Sequence, residues 1–209
     1  MKEADLTGSD LDRAVSEAAK VLRAGGVVAY PTETSYGLGA VIDCKGALSR
    51  IFEIKARRKD KPLLVIIGDP AFLSELAACV PDQAKMLMER FWPGPLTILF
   101  PAKAGLPWPL CGQTGKIGLR ISSHHVARAL VNEVGRPVTA TSANRSGLIA
   151  ARTAQEVAEY LIDPAPDYIL DGGPSPGGPP SSIVDVTVNP PAIIREGAIG
   201  AEDILALCG

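Results

Sequence analysis

The chain has 209 residues, 46% hydrophobic and 21% charged, with a net charge of −2. That suits a folded globular chain read as one domain over 1–209 and argues against a uniformly basic surface that coats nucleic acid, while leaving room for a local basic groove. Four scattered cysteines, Cys44, Cys79, Cys111 and Cys208, lack CxxC spacing and read as buried thiols in a reducing compartment rather than a zinc site. The N-terminus has no apolar signal core, and no stretch reaches the roughly 18 apolar residues of a membrane span. A cytoplasmic location without a membrane partner is expected.

In chain order, Leu11, Ala14, Val15, Ala18 and Leu22 form one stripe that predicts a helix over 9–24, capped by Ser9 and ended by Gly25-Gly26. A buried strand over 27–30 follows, then a hydroxyl-rich turn at 31–36 and a small-residue run, Gly37 to Ala40. A short helix comes next. Its end carries Lys55, Arg57, Arg58, Lys59 and Lys61, and a strand over 63–67 closes the unit. Helices are predicted over 71–78 and 81–91, a strand over 96–100, and a loop over 102–115. Then come a strand over 116–121 ending near Arg120, a helix over 124–134 and a strand over 137–141. Thr153 and Glu156 predict a capping box for a helix over 153–161. A strand over 168–170, a lid-like loop over 172–180, strands over 183–188 and 192–195, and a helix over 201–207 complete the chain. Alternating strands and helices with a late strand pair predict an α/β fold, an open twisted mixed sheet flanked by helices.

Familiar nucleotide and hydrolase signatures do not hold. No GxxxxGK[ST] is present, and Gly37-Leu38-Gly39 meets Ile42 where a dinucleotide fingerprint needs glycine. Ser175 sits in a GxSxG string between two prolines, with both histidines upstream, so it is not a nucleophile elbow. What remains is a set of cations and hydroxyls near strand ends. Lys55, Arg57 and Lys61 are either a phosphate clamp or a solvated helix end. Arg120 is either a carboxylate receptor or half of a salt bridge, and Ser142 to Asn144 either line a crevice or form a polar turn. The pair His124-His125 reads as a cap or surface pair.

The motifs PTETSYGLGA, KAR with KPLLV, WPGPLT, GLRIS, TATSANRSG, SSIVDVT and IIREG, in this order, resemble the YrdC-like threonylcarbamoyl-AMP synthases over about residues 12 to 205. The resemblance implies the family's fold around a concave, basic cavity. It also implies condensation of L-threonine, bicarbonate and ATP into threonylcarbamoyl-AMP and pyrophosphate, feeding threonylcarbamoyladenosine modification of tRNA. ATP contacts are implied at Arg57, Lys61, Ser142, Asn144 and Arg195, and threonine contacts at Thr34, Arg120 and Ser181 or Ser182. Mg2+ is expected with ATP, with no metal ligands from protein side chains. The chain resembles the short form of the family, without the extra C-terminal domain of longer members. The family often has His where this chain has Ile66, Pro at Arg58 and Ser122, and Ser at Ala150. Loss of the histidine is expected to weaken threonine recognition.

Such chemistry needs no protein nucleophile. Catalysis would rest on positioning and on charge stabilisation, here by Lys55 and Arg57. The downstream partner is expected to be a tRNA threonylcarbamoyl-transfer complex. Two alternatives stay open: an RNA-binding module without chemistry, and a relative of the same fold that adenylates carbamate from another donor.

Overall fold

The computed structural model describes residues 8–208. Helix α1 (Gly8–Arg23) already includes Gly8, so Ser9 lies inside the first turn instead of capping it. Its stripe faces inward, Ala18 and Leu22 at 0% exposure and Leu11 and Ala14 half-buried. Gly25, at φ +85°, stops the helix, where the amides of Gly25 and Gly26 close onto Leu22 O and Val21 O.

Strand β1 (Val28–Pro31) pairs antiparallel with β2 (Tyr36–Gly39). The small-residue run is therefore the second arm of a hairpin, with Gly37 in the cavity wall described below. It tolerates glycine because a Cβ at Gly39 would lie 2.7 Å from both the Tyr30 ring and Val138. Helix α2 (Lys45–Ile54) leads to β3 (Val65–Ile66). The segment predicted as one helix after β3 divides into a 3-10 turn (Pro70–Phe72) and α3 (Leu73–Leu76). Then follow α4 (Asp82–Phe91) and β4 (Leu96–Pro101). The expected structureless loop contains α5 (Trp108–Cys111), a single turn. Next come β5 (Lys116–Arg120), α6 (His125–Val134), β6 (Val138–Thr139) and β7 (Thr141–Ser142). The chain ends through α7 (Ala154–Tyr160), β8 (Tyr168–Ile169), β9 (Ser182–Asp185), β10 (Ala192–Arg195) and α8 (Ala201–Leu205). Thr153 caps α7 by accepting from Glu156 N at 3.1 Å, whereas Glu156 reaches one residue past the box to Arg152 N.

Strands are mixed in direction, as expected, but they form two sheets rather than one. The orders are β7-β2-β1-β8 and β10-β9-β4-β5-β3-β6. The sheets join where the chain steps across Ala140 from β6 into β7, and through a bridge between Val41 and Val138. One core cluster packs α2 residues such as Leu48 and Ile51 with Val65, Leu96 and Leu119 of the larger sheet. A second packs α1 and α6 through Leu22, Val126 and Leu130 onto Val28 and Ile66. Each fully buried aliphatic side chain stabilises by about 1.5–3 kcal/mol. No helix among the described residues is long and apolar enough to cross a membrane. All four cysteines are free, Cys111 and Cys208 buried as expected but Cys79 exposed.

Candidate functional site

The hydroxyl turn between β1 and β2 is built around Thr32, which is 2% exposed. Its hydroxyl donates to Ser35 O at 2.6 Å and lies 3.2 Å from the Thr34 hydroxyl. This closes a side-chain turn that holds Thr34 and Ser35 at the surface of the hairpin. Behind it, the Tyr36 hydroxyl donates to Gly173 O at 2.8 Å, tying the 172–180 loop to β2. Arg152 adds a bond to Pro176 O at 2.9 Å, and Arg152 O accepts from Ser175 N.

Lys55, one residue past α2, is 1% exposed. Its ammonium donates to Asn144 O and Asn144 Oδ1, both at 2.9 Å, and to Ser142 O. All three N–H bonds are therefore used on the turn after β7. Burial, with the Arg57 cation second, pushes its pKa down to about 7, while the three oxygens favour the charged form. The expectation of a phosphate-facing Lys55 is corrected accordingly: it pins the 142–144 turn. Asn144 is 7% exposed and works in the same turn, its Oδ1 also accepting from Ser142 Oγ at 2.6 Å.

Arg57 is half-buried, with Nε on Lys61 O at 3.2 Å and Nη2 on Pro62 O at 3.0 Å. Desolvation lowers its pKa, against the opposing pull of Asp60. In the larger sheet Ile66 stands opposite Arg120, Thr97 opposite Ile183, and Ile183 opposite Arg195. Arg120 donates to Glu33 Oε1 at 2.7 Å. Arg195 grips Ser181 through Nε and Nη2 to its carbonyl, at 3.0 and 2.7 Å, and through Nη2 to its hydroxyl at 3.0 Å. Although Arg195 sits at the exposed rim, desolvation first and then the Arg120 and Arg57 cations lower its pKa. Three guanidinium groups thus feel one another, and an anion between them would relieve the repulsion.

A cavity of about 230 Å³ lies between the two sheets. Its walls bring together Thr34, Arg57, Arg120, Ser142, Ser181 and Arg195 of the residues singled out from sequence, and among the described residues no carboxylate lines it. Four others are not in its lining. Lys55 and Asn144 are used as described, and Lys61 is exposed. Ser182 is fully buried, donating to Ile199 O and accepting from the amides of Gly197 and Ile199. Sequence reasoning missed Pro62, Leu64, Ala140 and Ile183, which supply the apolar part of the wall. Ile66 itself is 1% exposed and packed in the second core with Val126 and Leu130, so it does not meet the cavity. The expectation that its side chain tunes threonine recognition directly is corrected on that ground. His124 occupies the cap position of α6 without a side-chain cap bond and stacks on His125 at 5.0 Å. Among the described residues no group of three or more His, Cys, Asp or Glu is placed to hold a metal ion.

A family model covering Sua5, YciO and YrdC, described as telomere recombination, matches residues 20–197. The chain belongs to the Sua5/YciO/YrdC family. It is 39% identical over 192 residues to a threonylcarbamoyl-AMP synthase of Pyrococcus abyssi, and 40% identical over 199 residues to one of Bacillus subtilis. These matches cover 92% and 95% of the chain but only 56% and 57% of the relatives, so the chain spans little more than half their length. The crystal structure of P. abyssi Sua5 complexed with L-threonine superposes with a TM-score of 0.90 at 38% identity, covering 95% of this chain and 58% of that one. The two-sheet arrangement is thus the family's fold.

Proposed function

We propose that this member of the Sua5/YciO/YrdC family is an L-threonylcarbamoyladenylate synthase, a nucleotidyltransferase working as one unit over 1–209 in the cytoplasm. The observation that carries the reading is the convergence of Arg57, Arg120 and Arg195 on one hydroxyl-lined cavity without a carboxylate in its wall. Three such cations suit a substrate set rich in phosphate and carboxylate oxygens. The synthase names of the P. abyssi and B. subtilis relatives, and the threonine complex of P. abyssi Sua5, support the choice of substrate.

In this reading the threonine amine adds to bicarbonate and loses water to give a carbamate. A carbamate oxygen then attacks the α-phosphorus of ATP, forming the mixed anhydride as the bond to pyrophosphate breaks. Arg57 and Arg195 donate to phosphate oxygens, joined by the Ser142 hydroxyl when it turns from Asn144 Oδ1, and Arg57 stabilises charge on the departing pyrophosphate. Arg120 takes the threonine carboxylate, with Thr34 and Ser181 beside it. Lys55, Asn144 and Ser182 act through the segments they hold, and Lys61 offers Arg57 its carbonyl. Mg2+ would enter with the phosphates of ATP and neutralise part of their charge. The product feeds a tRNA threonylcarbamoyl-transfer complex, and contact with RNA would fall to the exposed cations Arg58, Lys59 and Lys61.

The test is pyrophosphate release from ATP with bicarbonate across the amino acids. Release that depends on threonine is expected. Release with another carbamate donor, or tight RNA binding with no release, would sink the assignment.

A further inference from the structure

Arg120 is 6% exposed, and Glu33 Oε1 is the sole acceptor on its guanidinium among the described residues. The second oxygen of that carboxylate, Oε2, accepts from the Ser122 hydroxyl. Ser122 is 0% exposed, and its hydroxyl in turn accepts from His124 N at 3.2 Å, so its donor and one acceptor site are both committed. Neither Glu33 nor Ser122 lines the cavity, whereas Arg120 does. The neighbour of Arg120 across the strand pair, Ile66, has no polar side-chain atom to offer. The direction of the guanidinium therefore depends on a relay running from the start of α6 through Ser122 and Glu33.

We infer that Ser122 and Glu33 are positioning residues that turn the open edge of Arg120 into the cavity and so set the affinity for the amino-acid carboxylate. This rests on the reading that Arg120 receives threonine. Glu33 holds Nη1, which leaves Nε and Nη2 as a planar pair matched to two carboxylate oxygens. A guanidinium free to rotate would have to be ordered at each binding event, and that ordering opposes affinity. Ser122 fixes Glu33 in the same way, because a buried carboxylate with one oxygen lacking a donor would seek another partner. Serine at this position replaces the proline expected from the family resemblance, and proline has no hydroxyl to make the bond. The relay is thus a property of this chain's own residues.

The test measures pyrophosphate release with threonine and ATP varied separately, alongside melting temperature. For Ser122→Ala the threonine KM is expected to rise about tenfold, with the ATP KM and kcat within about twofold, because the carboxylate contact is made alike in ground and transition states. Glu33→Gln, which keeps shape but not charge, should raise the threonine KM at least as much. Ser122→Thr, which keeps the hydroxyl, should recover most of the loss. An unchanged threonine KM in Ser122→Ala overturns the relay, as does an equal rise of both KM values with a lower melting temperature. If Ser122→Ala does not fold, Glu33→Gln alone decides by the same split. A wild-type protein that neither releases pyrophosphate with threonine nor binds it overturns the functional reading and this inference with it. A normal wild type with a silent Ser122→Ala overturns the inference alone.

Discussion

Replacing Lys55 by methionine separates a pin from a substrate-facing cation. Methionine keeps the length of the side chain and removes its donors. Of the three oxygens that Lys55 serves, Ser142 O still accepts from Asn144 N, and Asn144 Oδ1 still accepts from Ser142 Oγ. Asn144 O loses its sole partner among the described residues. One orphaned buried carbonyl costs about 1–3 kcal/mol, and the loss of two further charge-assisted bonds is offset in part by no longer burying a cation. A net loss of about 2–4 kcal/mol follows, which in a chain of this size lowers the melting temperature by roughly 4–16 °C. Turnover should fall with it, because Ser142 leaves its place. Arg57→Ala is the contrast. It should melt within about 3 °C of wild type, yet lose about ten- to a hundredfold in pyrophosphate release, the worth of one charged hydrogen bond of roughly 1.5–3 kcal/mol. Arg58, paired with exposed Asp60, should tolerate alanine. The assay is thermal unfolding beside steady-state release. A Lys55→Met variant that melts like wild type but does not turn over would refute the pin. Equal losses at Arg57, Arg58 and Lys59 would point to a diffuse electrostatic patch.

Three further outcomes are expected. Tyr36→Phe removes the hydroxyl that holds Gly173 O, so limited proteolysis should cut the 172–180 loop faster, with ATP and threonine restoring protection and stability lower by about 1 kcal/mol. Equal cutting with and without ligands would count against a flap. Gly118→Ala places a Cβ 2.5 Å from Leu64 Cδ2, which should push a wall residue into the cavity and raise substrate KM values; an unchanged KM would mean that Leu64 has room to retreat. Burial first and His125 second, against the pull of Glu33, lower the pKa of His124 below its ordinary 6.5. The unfolded chain then binds more protons as pH falls through about 6.5, so stability should drop with acid across that window, and His124→Gln should remove that part of the slope in pH-dependent melts.

Patterns with a local cause were legible in the sequence. The stripe of α1, its Gly25 stop and the Thr153 cap each follow from a few neighbouring residues, and all three stand in the structure. The hairpin arm Tyr36–Gly39 was read only as a small-residue run, because its glycines carry no strand pattern, and the close approach of the Tyr30 ring and Val138 is what requires glycine at 39. The single strand–turn–strand through Ala140 looked like one strand, and so one sheet was expected where there are two. Within the site, arginines near strand ends were readable as cavity residues. Lys55 was not separable from the other four cations around it, because its partners lie on a turn almost ninety residues away by sequence. Glu33 was visible as part of a hydroxyl turn, but nothing local marks it as the partner of Arg120.

The links that build the cavity also set when it can exist. Glu33 meets Arg120 and Lys55 meets Ser142 across 87 residues each, and Tyr36 reaches Gly173 across 137. Every such closure has its entropy cost before it is rewarded, so a chain on its way to the native state, or emerging from the ribosome, holds no binding site until residues beyond Gly173 have docked. Ligands then bind the native state alone and draw the whole folding equilibrium toward it, by an amount that grows with the logarithm of their concentration. For this protein the cellular supply of substrate would itself be a folding condition.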